Sequence, residues 1–162
     1  MKPIDFKYLK ANSLEQALNV LNSEENVKII AGGQSLVPLM NFRLGQPDSL
    51  LDINDLKDLN YVSENSNNIE IGSLLTHTNA INSNQLKLFF PIISYALNYV
   101  AHQTIRNQGT IGGSIVNADP SSEWPLIISL LNAKINVRNK FKKREILVDD
   151  FFESHFVTNL ED

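Results

Sequence analysis

The most constraining feature of this 162-residue chain is where its glycines fall. There are 7, and five of them (Gly32, Gly33, Gly109, Gly112, Gly113) sit in two short stretches. One is Ala31-Gly32-Gly33-Gln34-Ser35; the other is Gly109-Thr110-Ile111-Gly112-Gly113-Ser114. Glycine lets the chain take positive φ and lets other groups approach the backbone closely. Each pair is followed, at once or after one residue, by a serine, whose hydroxyl can cap a helix or donate to an anion. Taken singly, each stretch is a tight turn. Taken together, they predict a site made of turn amides, because successive N–H groups form a concavity that suits a phosphate. The spacing G-x-G-x-x-G is absent, and no Gly-Lys-Ser/Thr follows either pair.

Length and charge narrow the partners. A chain of this size makes one domain, or one with two lobes, and buries enough surface to need no staples. The net charge of −4 offers nucleic acid no electrostatic footprint. Its basic residues are scattered except for Lys140, Lys142, Lys143 and Arg144, which read as a solvated turn. There is no cysteine, so a disulfide, a cysteine zinc site and an iron–sulfur cluster held by this chain are excluded. No apolar run reaches membrane-spanning length, and Met1 to Asp5 lacks the apolar segment of a signal peptide; the cytoplasm is the expected location.

Periodicity predicts the elements. Phe6 to Leu9 alternates as an edge strand. Ser13 and Gln16 have capping-box spacing ahead of a helix whose apolar face is Leu14, Ala17, Leu18 and Leu21. Val27 to Ile30 is a strand that runs into the first glycine pair, and Leu36 to Phe42 is a short helix capped by Ser35. Leu50 to Ile53 is a strand, and polar turn residues mark a lobe boundary near Asn54 to Asn60. Tyr61-Val62 and Ile69 to Ile71 are two strands, the second continuing to Thr76, and Thr78 caps a short helix to Asn82. Pro91 to Gln103 is one helix with Ile92, Ile93, Ala96, Leu97, Val100 and Ala101 buried. Asp119 to Ser122 is a turn ahead of a helix from Glu123 to Leu131. Ile135 to Arg138 and Glu145 to Val148 form a hairpin, and Asp149 to Phe152 turns. The order is α+β and not the strict alternation of a doubly wound parallel sheet.

Few side chains offer chemistry of their own. His77, His102 and His155 lack metal-ligand spacing, and each reads as a surface or hydrogen-bonded histidine; no metal site and no catalytic residue is predicted. Ser35, Ser114 and Ser122 have no nucleophile elbow around them. Glu123 reads either as an acceptor for ligand hydroxyls or as an acid placed by the helix dipole. Arg106 reads as a partner for a phosphate, for a carboxylate bracing the loop, or as a surface ion pair. Backbone donors to a pyrophosphate are worth about 1.5–3 kcal/mol each, and a bound redox cofactor would supply what the side chains lack.

The stretches Ala31 to Met40 and Arg106 to Pro120, with Leu51-Asp52-Ile53, Ile71-Gly72 and Thr76-His77, resemble the FAD-binding medium subunit of the aerobic carbon monoxide dehydrogenase / xanthine dehydrogenase (molybdenum hydroxylase) family. The resemblance covers essentially the whole chain. It implies an α+β, two-lobed FAD-binding fold of the vanillyl-alcohol-oxidase / PCMH type, with lobes 1–55 and 56–162. It implies FAD contacts from Ile30, Ala31, Gly32, Gly33, Gln34, Ser35 and Leu36, and from Thr110, Ile111, Gly112, Gly113 and Ser114. Asn117, Ser122 and Glu123 match positions that hold the diphosphate or the ribose and ribityl hydroxyls, although the family often has Asp where this chain has Glu123. It further implies an electron-transfer role beside a molybdenum-binding large subunit and an iron–sulfur small subunit that carries 2Fe-2S clusters. Complete medium subunits continue past the position of Asp162, so the second lobe is expected to be truncated and the family's C-terminal domain absent. A stand-alone flavin oxidoreductase of the same fold and a non-catalytic interaction domain remain as alternatives.

Overall fold

The computed structural model describes residues 1–160. It begins with β1 (Lys7–Lys10), α1 (Leu14–Ser23), β2 (Val27–Ile30), α2 (Leu36–Asn41) and β3 (Ser49–Asp52). All three strands are parallel, with β3 between β1 and β2. The edge position expected for the first strand is therefore found, but inside a small parallel sheet whose crossovers are α1 and α2. Central β3 is buried along Ser49, Leu50 and Leu51, as expected for a strand covered on both faces. Ser13 accepts from the Gln16 amide at 3.1 Å, and Gln16 Oε1 accepts in return from the amide of Asn12 at 2.8 Å. The capping box thus closes one residue further out than the usual reciprocal pair.

The rest of the chain packs helices against short antiparallel ribbons. These elements are β4 (Val62–Glu64), β5 (Ile69–Ile71), α3 (His77–Asn82), α4 (Asn84–Phe89), α5 (Pro91–Leu97) and α6 (Gln103–Gln108), then α7 (Ile111–Asn117), α8 (Glu123–Leu130), β6 (Lys134–Arg138), β7 (Lys143–Leu147), α9 (Val148–Phe151), β8 (Phe152–Ser154) and β9 (Val157–Thr158). Two apolar cores result. One gathers Ala11, Ala17, Leu51, Leu56 and Leu74. The larger one gathers Leu86, Ile93, Leu97, Ile111, Trp124 and Ile127 with their neighbours.

Several sequence expectations are corrected here. The stretch from Gly109 to Ser114 is not a turn: Thr110 is an N-cap and Gly112 and Gly113 lie in the first turn of α7. The single helix expected from Pro91 to Gln103 ends at Leu97 and restarts at Gln103. Of the expected stripe Ile93 and Leu97 are buried and Ile92, Ala96 and Val100 half-buried, but Ala101 is exposed and takes a φ of 39°, which the helix cannot accommodate. Thr76, not Thr78, caps α3, accepting from the Asn79 amide at 3.2 Å, and β5 stops at Ile71 instead of running on to Thr76. Asn84 to Phe89 is a helix with no counterpart in the sequence reading, and the turn expected after the β6–β7 hairpin is the one-turn helix α9.

Candidate functional site

The first glycine stretch joins the end of β2 to α2. Gly33 has φ +68°, a left-handed conformation that favours glycine. Asn54 Nδ2 donates to Ala31 O at 2.9 Å and to Asp52 Oδ1 at 2.8 Å, so the polar turn after β3 props this loop open. Gln34 Nε2 donates to Gly32 O at 2.8 Å. Among the described residues, the amides of Gly32, Gly33, Gln34 and Ser35 donate to no protein acceptor. Ser35 is the N-cap of α2, but its hydroxyl makes no capping bond. The loop is thus a run of half-buried and exposed main-chain donors.

The second stretch is different, and here the expectation of open amides fails. Ile111 N donates to Leu75 O and Gly112 N to Ser73 O, both at 2.9 Å. Gly113 N donates to Thr110 Oγ1 at 3.2 Å, and Ser114 N to Thr110 O at 3.0 Å. The first two amides of α7 fix this segment to Ser73 and Leu75, and the next two close on Thr110. What remains available there is side-chain chemistry and lack of bulk. Ser114 and Asn117 are half-buried, and their side chains have no protein partner among the described residues. Ser122 Oγ, at the N-cap of α8, is buried and likewise unpartnered. A buried hydroxyl left unsatisfied costs about 1–3 kcal/mol, so its emptiness calls for a ligand atom or a water.

The two stretches meet. A Cβ on Gly32 would lie 2.4 Å from Gln108 O and 2.8 Å from Gly109 Cα, so no side chain fits at position 32 without parting the segments. Gly109 is pinned on its other side by His77: a Cβ there would lie 2.8 Å from the ring's Cδ2 and 2.9 Å from its Nε2. His77 is 5 % exposed and accepts at Nδ1 from Trp124 Nε1 at 3.0 Å. Burial, with the Arg106 guanidinium as a second cause, lowers its pKa from 6.5 to about 4, so it is neutral at neutral pH. The sequence reading counted His77 among ordinary hydrogen-bonded histidines, and it gave no role to Asn54 or Ser73. None of the three has a local signal, because each acts on backbone far away in sequence.

Among the described residues Arg106 pairs with no carboxylate, and its Nε is buried without a partner. Its Nη1 donates to Val100 O and Ala101 O, each at 2.8 Å, and its Nη2 to Gln103 Oε1 at 3.2 Å. It holds the break between α5 and α6, which is a correction to the ion-pair readings. Glu123 is half-buried in the first turn of α8, one residue before Trp124. Ile30 and Leu36 flank the first loop, both half-buried. Gathered at one junction are therefore the open loop amides, the Gly32–Gly109 contact and, through His77 and Trp124, the start of α8. Among the described residues no three His, Asp or Glu side chains cluster as a metal site would need, and no helix is long and apolar enough to cross a membrane.

Residues 4–162 match the family described as "FAD binding domain in molybdopterin dehydrogenase". The glyceraldehyde dehydrogenase medium chain of Sulfolobus acidocaldarius is 38 % identical over 159 residues, 98 % of this chain and 57 % of that one. Quinoline 2-oxidoreductase from Pseudomonas putida 86 superposes with a TM-score of 0.97 at 35 % identity, over 99 % of this chain and 56 % of that chain. The carbon monoxide dehydrogenase of Hydrogenophaga pseudoflava lacking the Mo-pyranopterin moiety of its cofactor gives 0.96 at 31 %, with the same coverage. The chain thus spans a little over half the length of these relatives. The α+β fold agrees with that match, and the chain belongs to the family of FAD-binding domains of molybdopterin dehydrogenases.

Proposed function

We propose that this chain is the FAD-holding, electron-transferring part of a molybdenum hydroxylase complex. Electrons arrive from iron–sulfur clusters on a small partner chain, and a large molybdenum-binding chain oxidises the substrate. The observation that carries this reading is the contact of Gly32 with the backbone of Gln108 and Gly109, which sets four open amides beside the glycine-rich segment from Gly109 to Ser114. The cofactor lies at the seam of a lobe spanning 1–55 and one spanning 56–162. The loop from Ile30 to Leu36 grips the pyrophosphate through Gly32, Gly33, Gln34 and Ser35 amides. Thr110 to Ser114 lies alongside as a low wall, with Ser114 and Asn117 as side-chain donors. Ser122 and Glu123 meet hydroxyls of the cofactor's sugar portions, which would satisfy the buried Ser122 Oγ.

FAD supplies reversible one- and two-electron storage when bound; the protein's part is binding, orientation and shielding from water. No side chain here is assigned to a bond-breaking step, and a chain with no cysteine takes its iron–sulfur partner from elsewhere. The reading is tested by stripping flavin from the full protein and adding FAD back. Wild type should recover a bound-flavin spectrum. Gly32→Ala should fail to, because the added carbon meets backbone at 2.4 Å, whereas Gly45→Ala, whose nearest neighbour would be Leu39 Cβ at 3.9 Å, should behave as wild type. A full protein that never retains flavin sinks the proposal.

A further inference from the structure

His77 stands where three separate parts of the candidate site touch. Its backbone N–H donates to Gly109 O at 3.0 Å, and the matching bond from Ile111 N to Leu75 O makes a two-bond bridge around Thr76 and Thr110. Its ring edge presses on one side of Gly109, whose other side meets Gly32. Its Nδ1 accepts from the indole of Trp124, which is 1 % exposed and immediately follows Ser122-Glu123. The rings lie 6.2 Å apart and 24° from parallel.

A core needs no such pair merely to be filled. Burying an imidazole and an indole N–H requires each to satisfy the other, and leucine or phenylalanine would fill the space without that condition. What the pair adds is direction. Indole can only donate, so it has to point at an acceptor, and one orientation of Trp124 is selected over the others.

We propose that His77 is a positioning residue of the flavin site. Through Trp124 it sets where Ser122 and Glu123 stand relative to Gly109 and the amide loop, so that the diphosphate end and the sugar end of one ligand are held in register. This rests on the reading that FAD occupies the junction. It touches no reacting atom and acts only through its neighbours.

The test uses the full protein, stripped of flavin and titrated with FAD, reading the dissociation constant, the circular dichroism of bound flavin and the melting temperature. His77→Leu and Trp124→Phe each remove one side of the hydrogen bond; both should weaken FAD by about tenfold, the order expected for one buried hydrogen bond, and alter the flavin dichroism. The double variant should be no weaker than either single one. His77→Asn places an amide oxygen near the position of Nδ1 and should restore affinity to near wild type. If His77→Leu does not fold, the comparison of Trp124→Phe with His77→Asn decides alone. Wild-type affinity and dichroism in Trp124→Phe, or a loss in His77→Asn as large as in the variants lacking the bond, would overturn the positioning role while leaving FAD binding intact. A wild-type protein that takes up no FAD would instead overturn the reading beneath it.

Discussion

Burial of the His77 imidazole has a measurable consequence for stability. With a folded pKa near 4 against an ordinary 6.5, the unfolded chain takes up a proton in this window and the folded one does not. The contribution is therefore complete above pH 6.5 and is lost as the pH falls through 6.5 towards 4. At 1.36 kcal/mol per unit, the loss from this one group is about 3 kcal/mol. From about pH 7.5 to 4.5 the urea midpoint of wild type should fall relative to that of His77→Leu, because the variant lacks the titrating ring and all other groups cancel. Curves that stay parallel would show that the ring titrates alike in both states. None of this was legible in the sequence, where His77 sits after a threonine with nothing nearby to say that Trp124, 47 residues on, is its partner.

At the level of elements, α7 shows why a glycine pair misleads. Each glycine costs a helix about 1 kcal/mol against alanine, so a local reading favours a turn. The helix forms because Thr110 caps it and because Leu75 O and Ser73 O accept its first two amides. Gly112 is required by that second contact: a Cβ there would lie 2.6 Å from Ser73 Cβ and 2.8 Å from Ser73 O. Thr110→Val should lower stability in urea by about 1 kcal/mol through loss of the cap. Gly112→Ala gains helix propensity but overpacks against Ser73, at a cost of about 1–3 kcal/mol; the net effect should be destabilising. A Gly112→Ala protein more stable than wild type would show that Ser73 yields freely. By contrast, α1 was readable from Ser13, Gln16 and its apolar spacing, since every signal it needs lies within its own turn.

The scale of the whole molecule brings in partners. This chain covers 57 % of the glyceraldehyde dehydrogenase medium chain and 56 % of the quinoline 2-oxidoreductase chain it resembles. If the proposed role holds, the protein purified from its source should carry molybdenum and iron together with flavin, both metals bound by chains other than this one. Metal analysis of each separated chain tests that; flavin-loaded protein that copurifies with neither metal would favour a stand-alone oxidoreductase. The sequence by itself determined the family resemblance, the α+β order, most strand positions and the first glycine loop, because these depend on residues close together along the chain: periodicity, caps and a glycine at positive φ. The start of helix α7 at Ile111, the parallel pairing of β1, β2 and β3, the break at Ala101 and the joining of Gly32, Gly109, His77 and Trp124 were decided only in three dimensions. Each depends on a hydrogen bond or a close approach between segments far apart in sequence, and no local preference encodes which distant group will be there to receive it.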